Sequence, residues 1–67
     1  MIYVNGKPTD GGESPTIRDI LLAADIDPDT AGIAVAVDAE VARRGDWPLR
    51  TVPDGARVEI VTATQGG

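Results

Sequence analysis

The sequence predicts an α+β fold, a mixed sheet of four to five strands with one main helix packed on one face. Three observations carry that reading. Short segments of alternating character stand at both ends of the chain, Ile2-Tyr3-Val4 and Arg57-Val58-Glu59-Ile60-Val61. Asn5-Gly6 follows the first of them, and this dipeptide suits a two-residue hairpin because both central residues of a type I′ turn need positive φ. One stretch alone has helical spacing: Ile17, Ile20, Leu21 and Ala24 fall at i, i+3, i+4 and i+7.

Taken in order, Ile2 and Val4 share one face of the first strand and Tyr3 the other. The return strand starts near Lys7-Pro8-Thr9 and dissolves into Asp10-Gly11-Gly12. Pro8 puts it at a sheet edge, where a missing N–H is tolerated. Ser14-Pro15-Thr16 opens the helix, with Pro15 suited to its first turn and Ser14 or Thr16 to the cap. Asp19, three residues after Thr16, supplies a variant of the capping box. Arg18 and Asp25 point away from the apolar stripe, and Pro28 and Gly32 end the helical possibility. Ile33-Ala34-Val35-Ala36-Val37 is a strand with large residues on one face and alanines on the other. Asp38-Ala39 turns it into a short strand around Glu40-Val41. The segment Arg43–Pro48 reads as irregular, Asp54-Gly55 as a turn, and Arg57–Val61 as a final strand running toward Ala63. The first and last strands are the most apolar, which places them together at the sheet centre. The uncovered sheet face then carries Tyr3, Val61 and Ala63, and an apolar patch there suggests docking to a partner.

At 67 residues the chain is one domain, spanning 1–67. A domain of this size buries only about 60% of the surface its unfolded chain exposes, so its stability is marginal. There is no cysteine and no histidine, and Tyr3 and Trp47 are the only aromatics, so the core is aliphatic. The net charge of −5 disfavours nucleic acid, which rewards a basic face. No apolar run approaches the length of a membrane span. Met1-Ile2-Tyr3-Val4 lacks the basic start of a signal peptide, so the expected location is cytoplasmic.

Apparent motifs fail on their own chemistry. Asp25-Ile26-Asp27-Pro28-Asp29 resembles the start of a calcium loop, but Thr30 stands where glycine is needed and Ala36 where glutamate is needed. A solvated acidic loop is the plainer reading. Arg44-Gly45-Asp46 matches an adhesion tripeptide and reads as a turn. Asp10-Gly11-Gly12-Glu13 lacks the lysine of a phosphate-binding loop. Ser14 has no histidine to activate it, and neither histidine nor cysteine is present to hold zinc. Trp47 is expected to pack over the edge of the core rather than line a site.

The chain ends Thr62-Ala63-Thr64-Gln65-Gly66-Gly67. Two glycines contribute nothing to packing and lose the most entropy on ordering, so residues 64–67 are expected to form a flexible tail. A thin stem bearing one carboxylate is suited to enter another protein's active site. A carboxylate acylates poorly until activated, and attack on the α-phosphorus of ATP gives an acyl-adenylate that a sulfur or nitrogen nucleophile can displace.

These residues resemble the sulfur carrier proteins of thiamine biosynthesis, the ThiS family, within the ubiquitin-like β-grasp fold. The resemblance runs along nearly the whole chain, through Ile2-Tyr3-Val4-Asn5-Gly6-Lys7, Thr16-Ile17, Val35-Ala36-Val37-Asp38, Val41, Arg44, Trp47, Asp54-Gly55, Val58-Glu59-Ile60-Val61 and Gly66-Gly67. It implies that an E1-like adenylyltransferase uses ATP and magnesium to adenylate the carboxylate of Gly67. Sulfur from a cysteine persulfide, made by a cysteine desulfurase or its equivalent, then replaces AMP. Thiazole synthase takes that sulfur from the resulting thiocarboxylate. On this reading Gly67 carries the sulfur, Gly66 gives clearance, and Gln65 and Thr64 supply backbone for the partner to hold. The chain itself is expected to bind no cofactor or metal, to be a carrier and not an enzyme, and to be a monomer when free. Arg43 stands where relatives often have proline, and Ala63-Thr64-Gln65 is smaller and more polar than in many of them.

Other outcomes share the tail. The small subunit of molybdopterin synthase has the same fold and diglycine, although its chains are usually longer. A carrier feeding another sulfur-containing metabolite and a ubiquitin-like protein modifier are further options. A non-catalytic interaction module whose tail does nothing is the reading from a different class.

Overall fold

The computed structural model describes residues 1–62. Five strands and one α-helix follow in the order β1 (Ile2–Val4), β2 (Lys7–Thr9), α1 (Ile17–Ala23), β3 (Ile33–Val37), β4 (Glu40–Ala42) and β5 (Arg57–Thr62), with a short 3-10 helix at Arg44–Asp46 before β5. The strands form one sheet in the order β2-β1-β5-β3-β4. Strand β5 is central, β1 lies beside it in parallel, and the remaining pairs are antiparallel. The first and last strands are therefore neighbours at the middle of the sheet, as the sequence predicts, and Pro8 sits on an edge strand.

The hairpins follow from local backbone chemistry. Asn5 and Gly6 have φ of 51° and 83°, the two left-handed positions of a type I′ turn. Asp38 and Ala39 repeat this at φ of 50° and 69° between β3 and β4. Alanine is a poor residue for that conformation, so the β3–β4 ladder, with Val37 opposite Glu40, holds the turn in place.

Helix α1 has only 7 residues, too few to persist alone. Its start is satisfied donor by donor. Thr16 is the N-cap, its hydroxyl accepting from the Asp19 N–H while the Asp19 carboxylate accepts from the Thr16 N–H. The Ile17 N–H donates to the Arg50 carbonyl and the Arg18 N–H to the Trp47 carbonyl, both at 3.0 Å. The N–H groups that a helix start leaves without partners are thus met by the cap and by the segment before β5. Pro15 lies before the cap rather than in the first turn, because the Thr16–Asp19 box fixes the start at Ile17; its carbonyl accepts from the Val52 N–H at 2.8 Å.

The helix also stops earlier than Pro28 and Gly32 suggest. Asp25 takes φ of 64°, its N–H donates to the Leu22 carbonyl, and the Ile26 N–H donates to the Leu21 carbonyl. This is a Schellman closure with aspartate in the position usually held by glycine, and Ile26 packs partly buried against the core behind it.

The core lies between α1 and one sheet face. Ile17, Ile20 and Leu21 are fully buried against Ile2, Val4, Ile33, Val35, Val37, Val58 and Ile60. Ala24, the fourth residue of the expected stripe, is the C-cap and only half-buried. Trp47, Val52 and Ala56 close the core from the segment joining β4 to β5. Trp47 is 3% exposed and donates from Nε1 to the Ala42 carbonyl at 3.3 Å, so it is a core residue.

The segment Arg43–Pro48 is more ordered than its sequence suggests. The Arg44 guanidinium donates to the Pro28 carbonyl and, at 2.8 Å, to the Thr30 carbonyl. It also lies over the Trp47 ring, 4.6 Å from the centroid. One arginine thereby ties the loop before β3 to the 3-10 turn and covers the tryptophan.

Candidate functional site

The site is the end of β5 and the sheet face that α1 leaves open. Alternation along the strands decides which side chains appear there. Ile2, Val4, Val58 and Ile60 face the helix, so Tyr3, Arg57, Glu59 and Val61 stand on the opposite face. Tyr3 is opposite Arg57 in the β1–β5 register. On the other flank Ala34 is opposite Val61 and Ala36 is opposite Glu59. Val41 of β4 is paired to Ala36 and extends the same face to the edge.

Tyr3 and Val61 are 41% and 61% exposed, as the sequence predicts. The face they occupy is not uniformly apolar, because Arg57 and Glu59 alternate with Val61 along β5. An open groove of about 740 Å³ runs over it, lined among others by Tyr3, Gly6, Arg57, Glu59 and Val61. A surface mixing aliphatic and phenolic groups with charges of both signs suits a protein partner more than an apolar small molecule.

The strand that leads to the C-terminus is held from both sides. On the β3 side, pairing continues to Thr62 opposite Ile33. On the β1 side, backbone pairing stops at Val4 opposite Val58, because the chain turns at Asn5-Gly6. The Asn5 N–H still donates to the Val58 carbonyl at 2.9 Å. Beyond that the Asn5 side chain takes over. Its Oδ1 accepts from the Ile60 N–H at 2.8 Å, and its Nδ2 donates to the Ile60 carbonyl at 3.2 Å. One side-chain amide thus stands in for the next two rungs of the parallel ladder. The sequence marks Asn5 only as a turn residue, because nothing but the parallel register brings Ile60 to it.

The tail residues Gly67, Gly66, Gln65 and Thr64, and Ala63 of the expected docking face, lie outside the described residues. Elsewhere, the rejected motifs have structural uses. The Asp27 carboxylate accepts from the Asp29 N–H at 2.9 Å, so the acidic loop is a turn closed by its own carboxylate, with Asp29 in an exposed pair 3.8 Å from Arg18. The Gly12 N–H donates to the Asp10 carboxylate at 3.1 Å, closing a turn in place of a phosphate cradle. Among the described residues there is no cluster of three side chains able to hold a metal ion, and no helix long and apolar enough to cross a membrane.

A mixed five-stranded sheet gripping one helix, with parallel first and last strands at its middle, defines a ubiquitin-like β-grasp protein. The model of the ThiS family matches residues 2–67, and the chain belongs to that family. Two solved structures from Geobacter metallireducens are similar to it. One is a crystal structure of a thiamine biosynthesis protein (ThiS), with 32% identity, a TM-score of 0.76, and coverage of 98% of this chain and 97% of that one. The other is a solution structure of a thiamine biosynthesis protein, with 34% identity, a TM-score of 0.76, and coverage of 98% and 86%. No curated protein sequence matches the chain.

Proposed function

We propose that this chain is the sulfur carrier of thiamine biosynthesis, acted on by partner enzymes and not itself a catalyst. The observation that carries the reading is that the family match extends to residue 67, through a Gly66-Gly67 end that follows a central strand anchored on both flanks. Five residues follow Thr62, so Gly67 can stand at most about 18 Å from the strand end. That reach lets the β-grasp body rest on a partner's surface while the carboxylate enters its active site.

In the proposed chemistry a Gly67 carboxylate oxygen attacks the α-phosphorus of ATP, held with magnesium by an E1-like adenylyltransferase, and pyrophosphate leaves. The terminal sulfur of a cysteine persulfide attacks the acyl carbon and expels AMP. A thiol then cleaves the S–S bond and leaves the thiocarboxylate, whose sulfur thiazole synthase draws into the ring. Gly66 leaves room for these attacks, and Gln65 and Thr64 offer backbone groups to the partner. Tyr3, Val61 and Ala63 are the proposed docking residues beside the tail. The dependence on ATP fits a cytoplasmic setting.

Intact-mass measurement tests this. The full chain, incubated with the adenylyltransferase, ATP, magnesium and a persulfide donor, gains the mass difference between sulfur and oxygen, located on Gly67. Deletion of Gly67 abolishes the product while the unfolding midpoint stays in place. Only unmodified chain in the complete reaction would overturn the carrier reading. Thiocarboxylate that thiazole synthase does not consume would overturn the thiamine assignment alone.

A further inference from the structure

Asn5 is the sole asparagine of the chain, and glycine follows it. That pairing is chemically labile in any peptide. The glycine N–H, unobstructed by a side chain, can attack the asparagine side-chain carbonyl and close a five-membered succinimide. Here the reaction is blocked by geometry. Ring closure needs the Cβ–Cα–C–N torsion of Asn5, which ψ sets, near zero; the type I′ turn that Asn5 and Gly6 form at φ of 51° and 83° holds its first residue at ψ of about 30° and so keeps that torsion far from closure. Both functional atoms of the amide are also engaged, Oδ1 with the Ile60 N–H at 2.8 Å and Nδ2 with the Ile60 carbonyl at 3.2 Å.

We propose that Asn5-Gly6 is a conformationally gated deamidation site, inert while the Asn5–Ile60 pairing holds and reactive each time it opens. In the open state the Gly6 nitrogen loses its proton to solvent base and bonds to Asn5 Cγ. The Cγ–Nδ2 bond breaks and ammonia leaves. Water then opens the ring at either carbonyl, giving aspartate or isoaspartate. Both products weaken the closed state. An aspartate keeps an acceptor for the Ile60 N–H but sets a second carboxylate oxygen against the Ile60 carbonyl, where a donor stood. An isoaspartate adds a backbone carbon and destroys the two-residue turn. Each event therefore makes reopening easier at the strand that leads to the C-terminus, and the site records how long the molecule has spent open.

The test follows the mass of the full chain at mildly alkaline pH, in buffer and in urea that unfolds it. Replacement of an amide NH₂ by OH at Asn5, confirmed by peptide mapping, is the readout. Aspartate isomerisation at Asp10-Gly11 or Asp54-Gly55 leaves the mass unchanged, so it does not interfere. The expected result is deamidation at least about tenfold slower in buffer than in urea, since only the open fraction reacts. Equal rates would overturn the gating. The Asn5→Asp variant is expected to unfold at lower urea concentration with an unchanged slope. An unchanged midpoint would overturn the claim that the product weakens the fold, and the wild-type rate comparison stands whether or not that variant folds.

Discussion

The side-chain amide of Asn5 exchanges two hydrogen bonds with the backbone of Ile60, at 2.8 Å and 3.2 Å, across 55 residues of sequence. It extends the parallel pairing of β1 with β5 past the point where β1 turns away. A three-residue strand is a weak partner for the central strand of a sheet, and this amide lengthens its grip without lengthening the strand. Asn5→Ala removes both bonds, leaves two partly buried Ile60 backbone groups without partners and strains a left-handed position. The expected cost is about 2 kcal/mol, read as a lower urea midpoint. A loss below about 0.5 kcal/mol would show that water replaces the amide at no cost.

Leu21→Ala tests how narrow the stability margin is. A chain of 67 residues is expected to hold about 3–10 kcal/mol in total. Leu21 is fully buried between α1 and the sheet, and its truncation costs about 2–5 kcal/mol. The variant is expected to melt at least about 8 °C below the wild type by circular dichroism. Retention of the wild-type melting temperature would mean that the core collapses around the gap.

Thr16→Ala removes one arm of the capping box at a helix that cannot stand alone. About 1 kcal/mol of stability is expected to go, with the loss visible as a lower thermal midpoint. Serine at the same position is expected to recover most of it, because the hydroxyl that accepts from Asp19 returns.

Arg44→Lys separates charge from shape. The guanidinium reaches two carbonyls, of Pro28 and Thr30, while lying over Trp47. An ammonium cannot present a planar fork and stack at once. Lysine is expected to lose roughly 1 kcal/mol and to change the Trp47 fluorescence. Full recovery by lysine would show that charge alone matters. By comparison, Asp29→Asn should cost under about 0.5 kcal/mol, since the Arg18–Asp29 pair is exposed and long at 3.8 Å.

Val61→Arg tests the open face. Val61 is 61% exposed and opposite Ala34, so the change is expected to alter stability by about 1 kcal/mol or less. On the proposed function, it raises the carrier concentration needed for half-maximal adenylation and leaves the saturated rate nearly unchanged. Unaltered concentration dependence would move the docking surface elsewhere.

Much of the fold was legible because its signals are local. Alternation in Ile2–Val4 and Ile33–Val37, the type I′ dipeptide Asn5-Gly6 and the Thr16–Asp19 cap each depend on residues within a few positions. The points that differed are long-range or backbone-driven. Pro15 falls outside the helix because the cap is at Thr16. Asp25 ends the helix because a Schellman closure can accept aspartate at positive φ. The Arg43–Pro48 stretch becomes ordered because Arg44 finds carbonyls 14 to 16 residues away.

The sequence by itself determined the class of fold, the helix-facing residues and the resemblance that runs to Gly67, because period, turn chemistry and a terminal motif are written in neighbouring residues. Tertiary structure alone decided what Asn5 and Arg44 do, and that Tyr3 stands opposite Arg57 across the β1–β5 pair. The physical reason is the parallel crossover that lays β5 between β1 and β3. It joins groups some 55 residues apart, and no local propensity encodes which backbone a side-chain amide will meet there.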